Sequence, residues 1–129
     1  MDLGVIGLGV IGKAVVRAAD EGELPFTVSA AATRTPGNVR DFLNSLKNAP
    51  RLTDLAGVVA SSDVILEASG GHTVEAICRA ALPLGKSVIV NSVGALLERE
   101  DLIALAEKHK ARIMIPSGAI IGLDGLKGA

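Results

Sequence analysis

The stretch "GVIGLGVIG", residues 4–12, constrains the fold of this chain more than any other. It places Gly7, Gly9 and Gly12 at G-x-G-x-x-G spacing between a short apolar run, Leu3 to Ile6, and a segment of helical periodicity. At such a junction the first glycine permits a tight turn and the second lets the backbone approach a pyrophosphate. The third lets the helix pack close to the strand. The start of the helix offers free N–H groups and a partial positive charge to phosphate oxygens. Gly7, Leu8, Gly9, Val10, Ile11 and Gly12 are therefore candidate dinucleotide contacts. A glycine-rich turn that binds nothing would carry the same signature; the strand before it, the helix after it and a second strand at the right distance favour binding.

The remaining chain alternates the two periods of secondary structure. Ile11, Ala14, Val15 and Ala18 mark one face of the first helix, and Phe26–Ala32 reads as the second strand. Asn38 is placed to cap a helix running to about Lys47, after the polar loop "TRTPGN". A short strand at Arg51-Leu52 precedes a short helix opened by Thr53 or Asp54. Val64–Ala68 is the fourth strand, and Thr73 can cap a helix that Gly85 stops. "KSVIVN" is the fifth strand, "LLEREDLIALAEKHK" is mostly helix, and "ARIMI" is the sixth strand. Such alternation predicts an α/β fold, a doubly wound parallel sheet of six strands. The expected strand order is that of the Rossmann dinucleotide-binding sheet, 3-2-1-4-5-6.

Composition agrees with strands buried on both faces. Hydrophobic residues make up 49% of the 129, yet there are two Phe, no Tyr and no Trp, so the core must be Val, Ile, Leu and Ala. The length suits one domain. A net charge of −1 and so few rings argue against a nucleic-acid partner. The single Cys78 has no partner for an internal disulfide. Met1-Asp2 leads directly into a strand-length run, and no apolar run approaches the roughly 18 residues of a membrane span. A cytoplasmic protein with no membrane association is expected.

The end of the second strand should lie beside the adenosine ribose, where an NAD-specific site carries Asp or Glu. Here the residues are Ala32, Thr33 and Arg34. Arg34 can pair with a 2′-phosphate or lie over adenine, so Thr33 and Arg34 favour NADP, or dual use, over strict NAD. A solvated loop arginine is the plainer reading of Arg34 alone. "EASGGH" ends the fourth strand and "NSVG" the fifth, both at the edge where open α/β sheets bind ligands. Ala68, Ser69, Gly70, Asn91, Ser92 and Val93 are the candidates for the nicotinamide end. Glu67 is expected to be half-buried by strand geometry rather than to act as a base. His72 reads as a cap or surface residue more than a catalyst, and His109 as a solvated helix end. Cys78 is expected to pack inside a helix, and no Cys/His cluster suggests a metal.

Three stretches and their spacing carry a resemblance: "GLGVIGKAV", "EASGGHTVEAICRAALPLGKSVIVNSVGALLEREDLIALAEKHKARIMIPSGAIIGLDGL", and within the latter the narrower "IPSGAIIGLDGL". Over nearly the whole chain the sequence resembles the L-aspartate dehydrogenase family. One departure is visible, because Ile121 stands where the family's Gly-Ala-Ile-Gly-Gly has the first glycine of its final pair. The resemblance implies NAD(P)-dependent oxidation of L-aspartate to iminoaspartate, or reductive amination of oxaloacetate with ammonia, feeding pyridine nucleotide synthesis. It implies a cofactor contact at Ala119 and phosphate contacts at Gly7, Gly9 and Gly12. It also implies that the catalytic histidine belongs to a second, C-terminal domain absent here, that residues 1–129 are the cofactor-binding domain and inactive alone, and that the whole enzyme is a homodimer. The first half of a homoserine-dehydrogenase-like oxidoreductase and a free-standing NAD(P)-sensing module are the alternatives.

Overall fold

The computed structural model describes residues 1–116. Strands β1 (Asp2–Ile6), β2 (Thr27–Ala32), β3 (Arg51–Leu52), β4 (Val64–Glu67), β5 (Ser87–Val90) and β6 (Ile113–Met114) form one sheet. Helices α1 (Val10–Asp20), α2 (Arg40–Asn44), α3 (Leu55–Ser61), α4 (Val74–Ala81) and α5 (Glu100–Lys108) connect them. The order is β3-β2-β1-β4-β5-β6 with every pairing parallel, as the alternation of periods predicts. The chain reverses direction across the sheet between β1 and β4, and there the loops on either side part to leave a crevice.

The sheet is covered on both faces. Val16, Val28, Ala31 and Val39 pack with Leu3 and Val5 beneath α1 and α2. Val58, Ile65, Ile77, Val88 and Leu102 pack on the opposite face under α3, α4 and α5. Both layers are aliphatic. Phe42 stays at the periphery, with the Lys13 ammonium 5.7 Å and the Arg17 guanidinium 5.1 Å from its ring centre.

Several local expectations need correction. The buried residues of α1 are Gly12 and Val16, while Ile11 is 44% exposed and Ala14 is exposed as well. The close approach of Gly12 to Gly7 O and to Val5 of β1 sets the rotation of the helix, and turns Ile11 and Ala14 outward. Asn38 does not cap a helix: Pro36–Val39 is a 3₁₀ turn, and α2 starts at Arg40 without a side-chain cap. Proline fixes the backbone for a tight turn before a longer helix can form. Thr73 occupies the position before α4, but its hydroxyl bonds Gly70 O at 3.1 Å and meets Ser69 Oγ instead of capping. Asp54 does cap α3, accepting from Gly57 N at 2.8 Å. Gly85 stops the helical run with φ 75°, as expected of a left-handed terminator.

Candidate functional site

A cleft of about 550 Å³ opens where the strand order reverses, at the C-terminal ends of β1, β2 and β4. Gly7, Leu8 and Gly9 form its floor, Thr33, Arg34 and Thr35 one side, and Ala68 and Ser69 the other. Gly7 has φ 100°, and a Cβ there would stand 2.6 Å from Ala68 O. The turn therefore needs glycine both for conformation and for space. Gly9 differs: a Cβ on it would meet nothing within 4 Å. Packing among the described residues leaves that space free, and it lies directly before the first turn of α1.

Among the described residues no side chain caps that helix terminus, which Gly9 precedes, and no acid sits in the first turn. Amide N–H groups of the first turn have no partner within a helix, so they and the helix dipole favour an anion in front of Gly9. Val10 is 89% exposed here. Gly7, Leu8 and Gly9 line the cleft, while Val10, Ile11 and Gly12 begin α1 outside its lining; the turn fits a pyrophosphate, with Gly9 supplying the room a side chain would fill.

Arg34 projects from the end of β2, exposed, and pairs with no carboxylate among the described residues. Thr33 Oγ1 accepts from Thr35 N at 3.3 Å, which bends the strand end around the cleft. One acid does enter the lining, from an element that the sequence reading did not place there. Thr53, Asp54 and Leu55 follow β3 and close the cleft beyond Arg34. Thr53 N donates to Ala31 O at 2.9 Å, and this extension of the β2–β3 pairing brings Asp54 alongside. The sequence spacing carries no mark of this, because β3 is only two residues long. One Asp54 oxygen is engaged in capping α3.

The other sequence-derived candidates divide. Gly70, Asn91, Ser92 and Val93 lie at the ends of β4 and β5, beside Ser69 but outside the cleft lining. Ala119 lies outside the described residues, as does the segment around Ile121. His72 is exposed in the turn before α4, with its ring beside Gly70, and does not line the cleft. His109 follows α5 as its C-cap, half-buried where a solvated helix end is expected, and does not line the cleft. Cys78 is fully buried, and that burial pushes its thiol up to about 11, so it packs as expected. Glu67 corrects the reading most clearly. It is 0% exposed rather than half-buried, and it accepts four hydrogen bonds from the loops that follow β4 and β5.

Comparison with known proteins agrees with this geometry. The family model described as homoserine dehydrogenase, NAD binding domain, matches residues 7–116. An L-aspartate dehydrogenase of Bradyrhizobium diazoefficiens is 38% identical over 97% of this chain and 44% of its own length. One of Methanocella arvoryzae is 38% identical over 98% of this chain and 48% of its own. The chain therefore spans about half the length of these curated relatives. Among solved structures, a hyperthermophilic archaeal homoserine dehydrogenase in complex with NADPH superposes with a TM-score of 0.68. It is 16% identical and covers 91% of this chain and 44% of that one, a likeness of fold. Among the described residues no helix is long and apolar enough to cross a membrane, and no His, Cys, Asp and Glu group could hold a metal.

Proposed function

The chain belongs to the homoserine dehydrogenase NAD-binding domain family, and from that premise we propose that it is the cofactor-binding part of an L-aspartate dehydrogenase using NADP or NAD. The observation that carries the binding role is the open space at Gly9 before an uncapped helix, at the reversal of strand order. The aspartate assignment is supported by the names of the relatives that match along the whole chain. In this proposal the whole enzyme is a cytoplasmic homodimer that interconverts aspartate and iminoaspartate, or aminates oxaloacetate, for pyridine nucleotide synthesis.

When bound, the nicotinamide supplies the hydride chemistry; the protein supplies position and field. Gly7 and Gly9 let the backbone reach the phosphates, and the first-turn amides of α1 hold their charge. Thr33 and Arg34 receive the ribose and any 2′-phosphate. Ala68 and Ser69 support the other half of the dinucleotide from the end of β4, with Gly70, Asn91, Ser92 and Val93 proposed beyond them; Ala119 is proposed as a further contact from the resemblance alone. Among the described residues the cleft lining contains one cation, Arg34, and no histidine. A dicarboxylate has little there to orient it, and a proton no imidazole to move to.

Calorimetric titration with NADP(H) and NAD(H) tests the binding role: the 129-residue chain should bind both, NADP(H) at least as tightly. A chain that binds neither overturns it. A spectrophotometric assay with aspartate, homoserine and no substrate then tests the assignment. The 129-residue chain alone should reduce cofactor with neither, and turnover above about 0.1 per second, the low end of ordinary enzyme rates, would contradict the proposed division of labour. A protein containing this chain and a substrate domain should act on aspartate; action on homoserine instead favours the alternative activity.

A further inference from the structure

Glu67 is the last residue of β4, and its carboxylate is closed off from solvent. Oε2 accepts from Ser69 N and Gly70 N, both at 2.9 Å, and from Ser92 Oγ at 3.1 Å; Oε1 accepts from Ser92 N at 2.8 Å. Three amide donors and a hydroxyl converge on one side chain, a set suited to a group that accepts on both oxygens. No lysine or arginine among the described residues pairs with it. A carboxylate closing a strand of valine, isoleucine and leucine is not needed for apolar packing, since an apolar side chain of similar volume would carry no desolvation cost.

We propose that Glu67 is a positioning residue for the nicotinamide half of the site. Its carboxylate bridges the loop after β4 to the loop after β5, and so fixes Ser69, Gly70 and Ser92 as one rigid wall. The placement in the sheet argues for that half and not the other. β4 and β5 lie on the opposite side of β1 from β2, which carries Thr33 and Arg34 at the proposed adenosine end. A dinucleotide laid across the reversal of strand order puts its two halves on these two sides. The wall also needs an anchor. Gly70 has φ 107° and neighbours Gly71, so its backbone is free to take other conformations unless its N–H is held. The backbone bond from Asn91 N to Glu67 O at 3.2 Å and the Ser69–Thr73 hydroxyl pair complete the tie.

This inference rests on the cofactor-binding reading, and the test separates the two. Glu67→Gln keeps the size but turns an amide NH₂ toward at least one of the donors. NADPH and adenosine 2′,5′-bisphosphate, which lacks the nicotinamide half, are titrated into the 129-residue chain and its variants. Glu67→Gln should weaken NADPH tenfold or more and the bisphosphate less than twofold. Glu67→Asp keeps the charge but shortens the reach to the loop after β5, and should show the same split at about threefold, which covers the case that Glu67→Gln does not fold. Equal losses for both ligands would mean a general structural role, and no loss would mean no role; either overturns the inference while the cofactor reading stands. A wild-type chain that binds neither ligand overturns both.

Discussion

A Cβ built on Gly12 would overlap the carbonyl oxygen of Gly7. The first turn of α1 therefore rests on the backbone that leaves β1, main chain against main chain, and neither partner can swing aside as a side chain would. The same contact sets the rotation of α1 and brings Val16, one turn later, into the core at 1% exposure.

Gly12→Ala should accordingly destabilise the protein, by about 2 kcal/mol or more, because a methyl group forced into packed backbone costs roughly 1–3 kcal/mol or above. Urea unfolding of the variant beside the wild type measures it. A loss under about 0.5 kcal/mol would show that the helix can lift off Gly7.

Gly9→Ala should behave in the opposite way. Its Cβ meets nothing within 4 Å among the described residues, so the melting temperature should stay within about 2 °C, the shift of well under 1 kcal/mol in a domain of this size. Cofactor affinity should fall at least tenfold, because the methyl stands in the space assigned to pyrophosphate. Unchanged affinity would move the phosphates elsewhere.

Arg34→Ala removes an exposed cation that has no partner among the described residues, so stability should not change. NADP(H) should weaken about tenfold, the value of one charge-assisted contact of roughly 1.5 kcal/mol, and NAD(H) by less than threefold. Parallel titrations decide it; equal losses would remove Arg34 from the 2′-phosphate and leave it to the adenine.

Burial raises the Cys78 thiol from the ordinary 9.0 to about 11. The unfolded chain therefore releases this proton near pH 9 while the folded chain retains it. The folded state is favoured fully below about pH 9 and loses that contribution as pH rises toward 11. Urea midpoints between pH 8 and 10.5 should fall more steeply for the wild type than for Cys78→Ala, and the native thiol should resist alkylation at pH 8. Parallel pH profiles for the two proteins would contradict the assignment.

The sheet was legible in the sequence because its strands are short apolar runs bounded by turn residues, and a run such as Val64–Glu67 looks the same in any context. The start of α3 was legible as Thr53 or Asp54, and the structure gives the cap to Asp54. Asn38 failed as a cap because Pro36, two residues earlier, commits the backbone to a 3₁₀ turn. The floor of the cleft followed from the spacing of Gly7, Gly9 and Gly12. Its far wall, Thr53 to Leu55, did not, since only the pairing of a two-residue strand brings it there. Glu67 was the hardest to read. Its nearest donors are two and three residues away, but Ser92 is 25 residues on. Whether an acid in a strand is orphaned or satisfied depends on a loop belonging to another strand.

The central place of β1 has a consequence for biosynthesis. β1 is made before both of its neighbours, β2 on one side and β4 on the other. From the time β2 pairs with it until residues 64–67 leave the ribosome, one edge of β1 presents Leu3 to Ile6 with free N–H and C=O groups. At about 5–20 residues per second that interval lasts on the order of seconds, and an open apolar edge is a template for pairing with another chain. The nascent protein is thus most prone to aggregate between the emergence of β2 and that of β4. A ribosomal pause in that window should lower the soluble yield more than the same pause placed after β5.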